Sequence, residues 1–203
     1  MTDQQTLRED IAFLRTLAEE GRETPLVGGD ILLSAGLIYA ACSFATWAAA
    51  VTNWPPAASP WFMPILWFGG TALFMALLFA FKARMPVQSA NSRAAGLVWA
   101  GSGWAVFVVV LSLMIMGYRA NAWWIMAGIC PVVLATYGAA WTVGGLLSRR
   151  SWMRLVGLGA FAMALVCAWF GQQVETLFAL YGVSLLALVA LPGLVLMRQS
   201  RQG

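Results

Sequence analysis

An all-helical bundle of six membrane spans is what this sequence predicts, and three observations predict it. Apolar runs occupy about residues 30–51, 61–81, 94–117, 122–147, 152–171 and 174–197. Each is long enough for a hydrocarbon core of roughly 30 Å, which takes about 20 residues at the helical rise. Hydrophobic residues make up 61% of the 203 and charged ones only 10%, against about 25% charged in a soluble domain. Finally, eleven of the twelve basic residues fall on one side of the runs.

That side is expected to be the cytoplasm, because cytoplasmic loops carry the Lys/Arg excess. Arg8, Arg15 and Arg22 precede the first run, and Lys82, Arg84 and Arg93 lie between the second and third. Arg149, Arg150 and Arg154 surround the junction of the fourth and fifth, and Arg198 and Arg201 follow the sixth. Arg119 alone sits in an opposite connection. Both chain ends are therefore expected in the cytoplasm. Arg outnumbers Lys eleven to one, a bias of GC-rich bacterial genomes, so the expected location is the bacterial inner (plasma) membrane.

The domain reading has three parts. Residues 1–29 form a cytoplasmic amphipathic helix with a turn-rich link, 30–197 the bundle, and 198–203 a short tail. The first segment is not expected to be a cleavable signal, since it carries nine charges by Glu23 and no apolar stretch. Within it Leu7, Ile11, Leu14 and Ala18 recur at helical steps, with Phe13 and Leu17 widening the stripe. Thr6-Leu7-Arg8-Glu9 fits a capping box, and Gly21 followed by Pro25 supplies a stop. Six acids against three arginines give it a charge of −3, whereas the rest of the chain carries +7. Helices that lie on anionic leaflets have basic polar faces, so protein is the better partner for this one. Leu7, Ile11, Leu14 and Leu17 are its candidate interaction face. It would meet either the chain's own basic loops or another membrane or cytoplasmic protein.

The bundle itself reads as three consecutive helical hairpins. Outer turns fall near 52–60, 118–121 and 172–173, and inner ones at 82–93 and 148–151. Small residues four apart, Gly36/Ala40, Gly96/Ala100 and Gly138/Thr142, with a notch at Gly101-Ser102-Gly103, allow close helix approach. Such notches serve internal packing and a homo-oligomer equally. Trp47, Trp54, Trp61, Trp123, Trp124 and Trp169 are placed to anchor the outer interface and Trp152 the inner one. Trp67, Trp99, Trp104 and Trp141 lie nearer mid-depth. Pro64 belongs to a first turn, where a missing N–H is harmless. Pro131 is expected to kink the fourth helix and free a carbonyl, and Pro192 interrupts the sixth.

The chemical inventory points away from catalysis, cofactors and metals. Histidine is absent, and Cys42, Cys130 and Cys167 lie inside spans without ligand spacing, so zinc and bis-His haem chemistry are not expected. Asp30 and Glu175 each open a helix, where a carboxylate meets the positive end of the dipole. Glu175 with Arg119 forms a candidate outer-face polar pair. Gly69-Gly70 and Gly144-Gly145 lack a following P-loop lysine, and the basic residues track membrane boundaries rather than a nucleic-acid face. Trp104, Pro131 and Tyr137 are candidate path or packing residues at mid-depth.

Three function classes remain. The sequence favours a non-catalytic subunit, a scaffold, sensor or regulatory partner acting through protein contacts. The alternative is a channel or facilitator for a small neutral or weakly acidic solute. In size and span count the chain is similar to small six-span families such as acetate–succinate and urea/amide channels, without their motifs. A membrane enzyme would require a reactive serine within a span, or a Glu175–Arg119 site.

Overall fold

The computed structural model describes residues 28–54, 59, 61–83 and 90–202. Among them every regular element is helical: α1 Gly29–Thr52, α2 Phe62–Lys82, α3 Ala90–Ala120, α4 Ile129–Leu147 and α5 Ser151–Trp169. The sixth span is composite, with α6 Val174–Leu185, a π turn Leu186–Ala190 and α7 Leu191–Gln202. A 3-10 segment, Trp123–Gly128, leads into α4. Six stretches are long and apolar enough to cross a membrane. The proposed N-terminal helix, with Leu7, Ile11, Leu14 and Leu17, lies outside the described residues.

The turns after α1 and α3 are built the same way. Asn53 and Asn121 follow α1 and α3 in the left-handed region, with φ of 48° and 49°. Asparagine tolerates that conformation better than most residues. The amides beyond them then reach back, Trp54 N–H to the Ala49 carbonyl and Ala122 N–H to that of Gly117. This six-to-one bond closes a helix end whose carbonyls would otherwise lack donors. The turn after α4 uses Arg149, at φ 53°, where an L side chain crowds the following carbonyl at about 1 kcal/mol. Arg149→Gly should therefore raise the unfolding midpoint in detergent by about 1–3 °C, the gain being reduced by glycine's greater freedom when unfolded.

Four spans form the core. The α4–α5 pair is the most closely packed, and α1 runs along the whole sixth span. In lipid the apolar effect does not drive helices together, so close backbone approach and interhelical hydrogen bonds must do so. Both seams show this. Along the first, an added Cβ at Gly36 would lie 2.5 Å from the Ala190 nitrogen, and one at Gly193 2.6 Å from that of Leu33. A Cβ at Gly29 would overlap Met197 and Gly193. The Ser43 hydroxyl, fully buried, donates to the Phe178 carbonyl at 2.8 Å. Gly29, Gly36 and Ser43 recur every seven residues, the period of a close helix seam. Along the second, a Cβ at Gly157 would lie 2.5 Å from Thr142 Oγ1 and 2.9 Å from the Gly138 carbonyl.

Two spans stand outside. No residue of α2 is buried, and the α3 span buries none in its most apolar stretch. α2 packs on α1, and α3 packs on α4 and the 3-10 segment before it. Polar links tie α2 down, among them Tyr39 OH to Thr71 Oγ1 at 3.4 Å, Cys42 Sγ to the Leu66 carbonyl at 3.5 Å, and Trp67 Nε1 to Thr46 Oγ1 at 3.3 Å. The α1/α2 and α3/α4 hairpins are thus real packing pairs, but α5 touches the sixth span only lightly. The packing does not repeat as three equal hairpins. The small-residue motifs divide in the same way. Gly36/Ala40 and Gly138/Thr142 sit in seams, whereas Gly96, Gly101 and Gly103 have no neighbouring atom within 4 Å of an added Cβ.

Two prolines act differently from one another. Pro131 is the third residue of α4, so its ring meets the carbonyl of residue 127, inside the 3-10 segment. The expected mid-span kink is instead a change of helical pitch ahead of the proline. Pro192 lies two residues past the π turn, where Leu191 N–H bonds the Leu186 carbonyl five residues back. The α-helical donor to the Leu188 carbonyl would be residue 192, which has no N–H. Trp141 Nε1 supplies one from α4, at 2.9 Å.

Candidate functional site

The described spans hold few groups that could perform chemistry. Asp30 lies in the first turn of α1, its Oδ1 accepting from the Ile31 amide at 3.0 Å, and Glu175 lies in the first turn of α6. Both stand where the sequence placed them, at helix starts. Arg119, in the last turn of α3, and Glu175 are each exposed, and no ion pair joins them among the described residues. Cys42, Cys130 and Cys167 are buried free thiols. Among the described residues no group of three His, Cys, Asp or Glu side chains is arranged to hold a metal ion.

Serine and threonine hydroxyls follow one pattern. Thr46 donates to the Cys42 carbonyl at 2.9 Å, Thr71 to Trp67 at 2.8 Å, Thr136 to Val132 at 2.7 Å, Thr142 to Gly138 at 2.8 Å and Ser184 to Leu180 at 2.7 Å. Each returns its proton to the preceding turn of its own helix, the usual resolution for a hydroxyl surrounded by hydrocarbon. Ser43 reaches across to Phe178 instead. These groups are thereby occupied as donors rather than offered to a passing solute.

Among the described residues, phenols and indoles gather against one buried cluster. Tyr181 is buried in the core, with Tyr39, Tyr137, Trp67 and Trp99 packed against the same cluster. Trp99 on α3 meets Tyr137 edge-on at 5.5 Å and Trp141 at 5.3 Å between ring centroids. Across the bundle Tyr39 stacks on Trp67 at 6.4 Å, and Trp67 meets Phe178 at 6.0 Å. Such pairs add about 1 kcal/mol each beyond their buried area, so they fix α2 and α3 to the core. No buried side-chain nitrogen or oxygen lacks a partner among the described residues.

Of the mid-depth candidates, only Tyr137 joins this cluster. Trp104 is 70% exposed and meets Phe107 of its own helix, on the outer side of α3. Pro131 is half-buried at the start of α4. What the sequence reading missed was Trp141, 1% exposed, whose bond to Leu188 answers Pro192. A proline deep in one apolar span and a tryptophan deep in another were the available signals, but nothing in the sequence paired them. Of the indoles read as interface anchors, Trp54, Trp61, Trp123, Trp124 and Trp169 are half or more exposed and Trp47 less so. An open apolar pocket of 290 Å³ at the start of α2 is lined by Ser59, Trp61, Phe62, Ile65 and Leu66. It holds no ionisable side chain.

The features so far define a class, an all-helical protein with six helices compatible with a multi-pass membrane protein. No protein-family model, curated protein or solved structure matches the chain.

Proposed function

We propose that this chain is a non-catalytic subunit of the bacterial inner membrane, acting as a scaffold, sensor or regulatory partner through protein contacts. In this reading the six spans cross the bilayer with both chain ends in the cytoplasm, and an amphipathic helix over residues 3–20 lies on that side. The observation that carries it is the state of the span hydroxyls. Thr46, Thr71, Thr136, Thr142 and Ser184 donate to carbonyls of their own helices, so these hydroxyls serve helix packing in this reading. Coupled transport would also need an ionisable group within the bilayer, and Asp30 and Glu175 both stand at helix ends.

Contacts would then come from two places, the acidic helix and the weakly attached spans α2 and α3. The test is co-purification from the native membrane with the full chain and with residues 1–24 removed. The reading expects a defined partner that is lost or reduced in the truncation. Identical partner recovery and phenotype from both forms would reject it.

One observation favours the alternative, a facilitator for a small neutral solute. Tyr181 lies in the buried cluster, and Tyr39 and Tyr137 pack against it, so three phenols gather around one place in the bundle. Solute flux into reconstituted vesicles measures this directly. Flux equal to that of empty vesicles removes the alternative.

A further inference from the structure

The end of the bundle at which α1 begins is a basic face gathered around the entry of the chain. Gly29 packs on Gly193 and Met197, which puts Gly28 beside the last turns of the sixth span. Arg150 donates to the Gln199 side chain, bringing the α4–α5 turn to the same place. Arg154 lies over Gly145, and Arg198 is exposed one residue before Gln199. Arg149 is exposed in the turn between α4 and α5, and Lys82 and Arg93 are exposed where α2 ends and the α3 span begins. Against these six cations the described residues place one carboxylate, Asp30, and its Oδ1 already accepts from a backbone amide.

The chain that enters here carries the opposite charge. Residues 1–27 hold Asp3, Glu9, Asp10, Glu19, Glu20 and Glu23 against three arginines, with Glu19, Glu20 and Glu23 nearest to Gly28. Their length suits the face. A helix over residues 3–20 would extend about 27 Å, and the link over 21–28 reaches about 27 Å when extended. Gly28, at φ 115°, makes a turn open to few other residues just before α1. An anionic leaflet repels this segment, whereas its apolar stripe is disfavoured in water. We propose that residues 3–23 fold back as an acidic amphipathic helix over Arg149, Arg150, Arg154 and Arg198, and act as an intramolecular cover of the basic face. The partner of this surface is the chain's own N-terminal segment, so other acidic proteins reach it only by displacing that segment.

Trypsin cleavage after Arg15 tests this on purified full-length protein in neutral detergent at low salt. The segment itself is left unaltered. The variants are Arg149→Gln/Arg154→Gln/Arg198→Gln, and the same three positions changed to Lys as a charge-preserving control. Tryptophan fluorescence and elution volume check that the bundle is intact. The cover predicts cleavage about ten-fold faster in the Gln variant than in the wild type, since several weak exposed pairs act together. It predicts the same acceleration for wild type at about 0.5 M salt, where screening extends over only a few ångströms. The Lys variant should stay protected. Equal rates in wild type and Gln variant would overturn the proposal. So would protection that fades on dilution, which assigns the cover to a second copy, or protection that appears only with anionic lipid. Because no partner protein is present, this outcome is independent of the co-purification experiment.

Discussion

Gly36→Ala should lower the unfolding midpoint by about 5 °C in detergent, whereas Gly69→Ala should leave it unchanged or raise it. A methyl on Gly36 would lie 2.5 Å from the Ala190 nitrogen and 2.8 Å from its Cα. Those atoms are backbone and cannot rotate away, so the sixth span must move off α1. That movement also loosens the Ser43–Phe178 bond one heptad further along. Overpacking of this kind costs about 2 kcal/mol, which for a chain of this length is about 5 °C. Nothing recovers the loss through the apolar effect, since separated helix faces are covered by lipid. Gly69, in α2, has no atom within 4 Å of an added Cβ. There the methyl only improves helix propensity, by up to about 1 kcal/mol. Thermal unfolding followed by tryptophan fluorescence of the two variants makes the comparison. Equal shifts would mean that the α1–sixth span seam is not a close backbone contact.

This contrast also marks how far the sequence could be read. The spans were legible because membrane crossing is a matter of length and apolarity, and their ends shifted by only a few residues, as with 94–117 against Ala90–Ala120. Glu175 and Asp30 were legible as helix-start carboxylates for a similarly local reason. Which spans form the core was not. In water a helix declares its buried face through an apolar stripe, but a helix in lipid is apolar all round. α2 and α3, with mean hydropathies of 1.9 and 2.1 over their windows, resemble the core spans at 1.5 to 2.2. Small-residue spacing pointed correctly to Gly36 and Gly138 and equally to Gly96, which is open. Only knowledge of the opposing helix separates those cases. Trp104 and Tyr137 were grouped by depth, and depth says nothing about azimuth around the bundle. The helix rotations put Tyr137 in the core and Trp104 outside.

The second large effect lies where α4 meets the sixth span. Trp141→Phe should destabilise the protein by about 2 kcal/mol, and about half of that should vanish in a Pro192→Ala background. The reasoning starts from the missing N–H. Proline at 192 leaves the Leu188 carbonyl without its α-helical donor, in a region where water cannot substitute. Trp141 Nε1 donates to it at 2.9 Å from a side chain that is 1% exposed. Phenylalanine removes that donor, at about 1 kcal/mol for an interhelical bond in a membrane. The smaller ring also leaves a gap beside Trp99 and Trp152, whose centroids lie 5.3 and 6.0 Å from that of Trp141, adding about 1 kcal/mol. Alanine at 192 restores an N–H to the helix, so Leu188 no longer depends on α4. The gap is the same in both backgrounds, and the difference between them isolates the hydrogen bond. A double-mutant cycle by denaturant unfolding in mixed micelles reads it. A coupling near zero would mean that the indole contributes to this helix crossing only through the volume it fills.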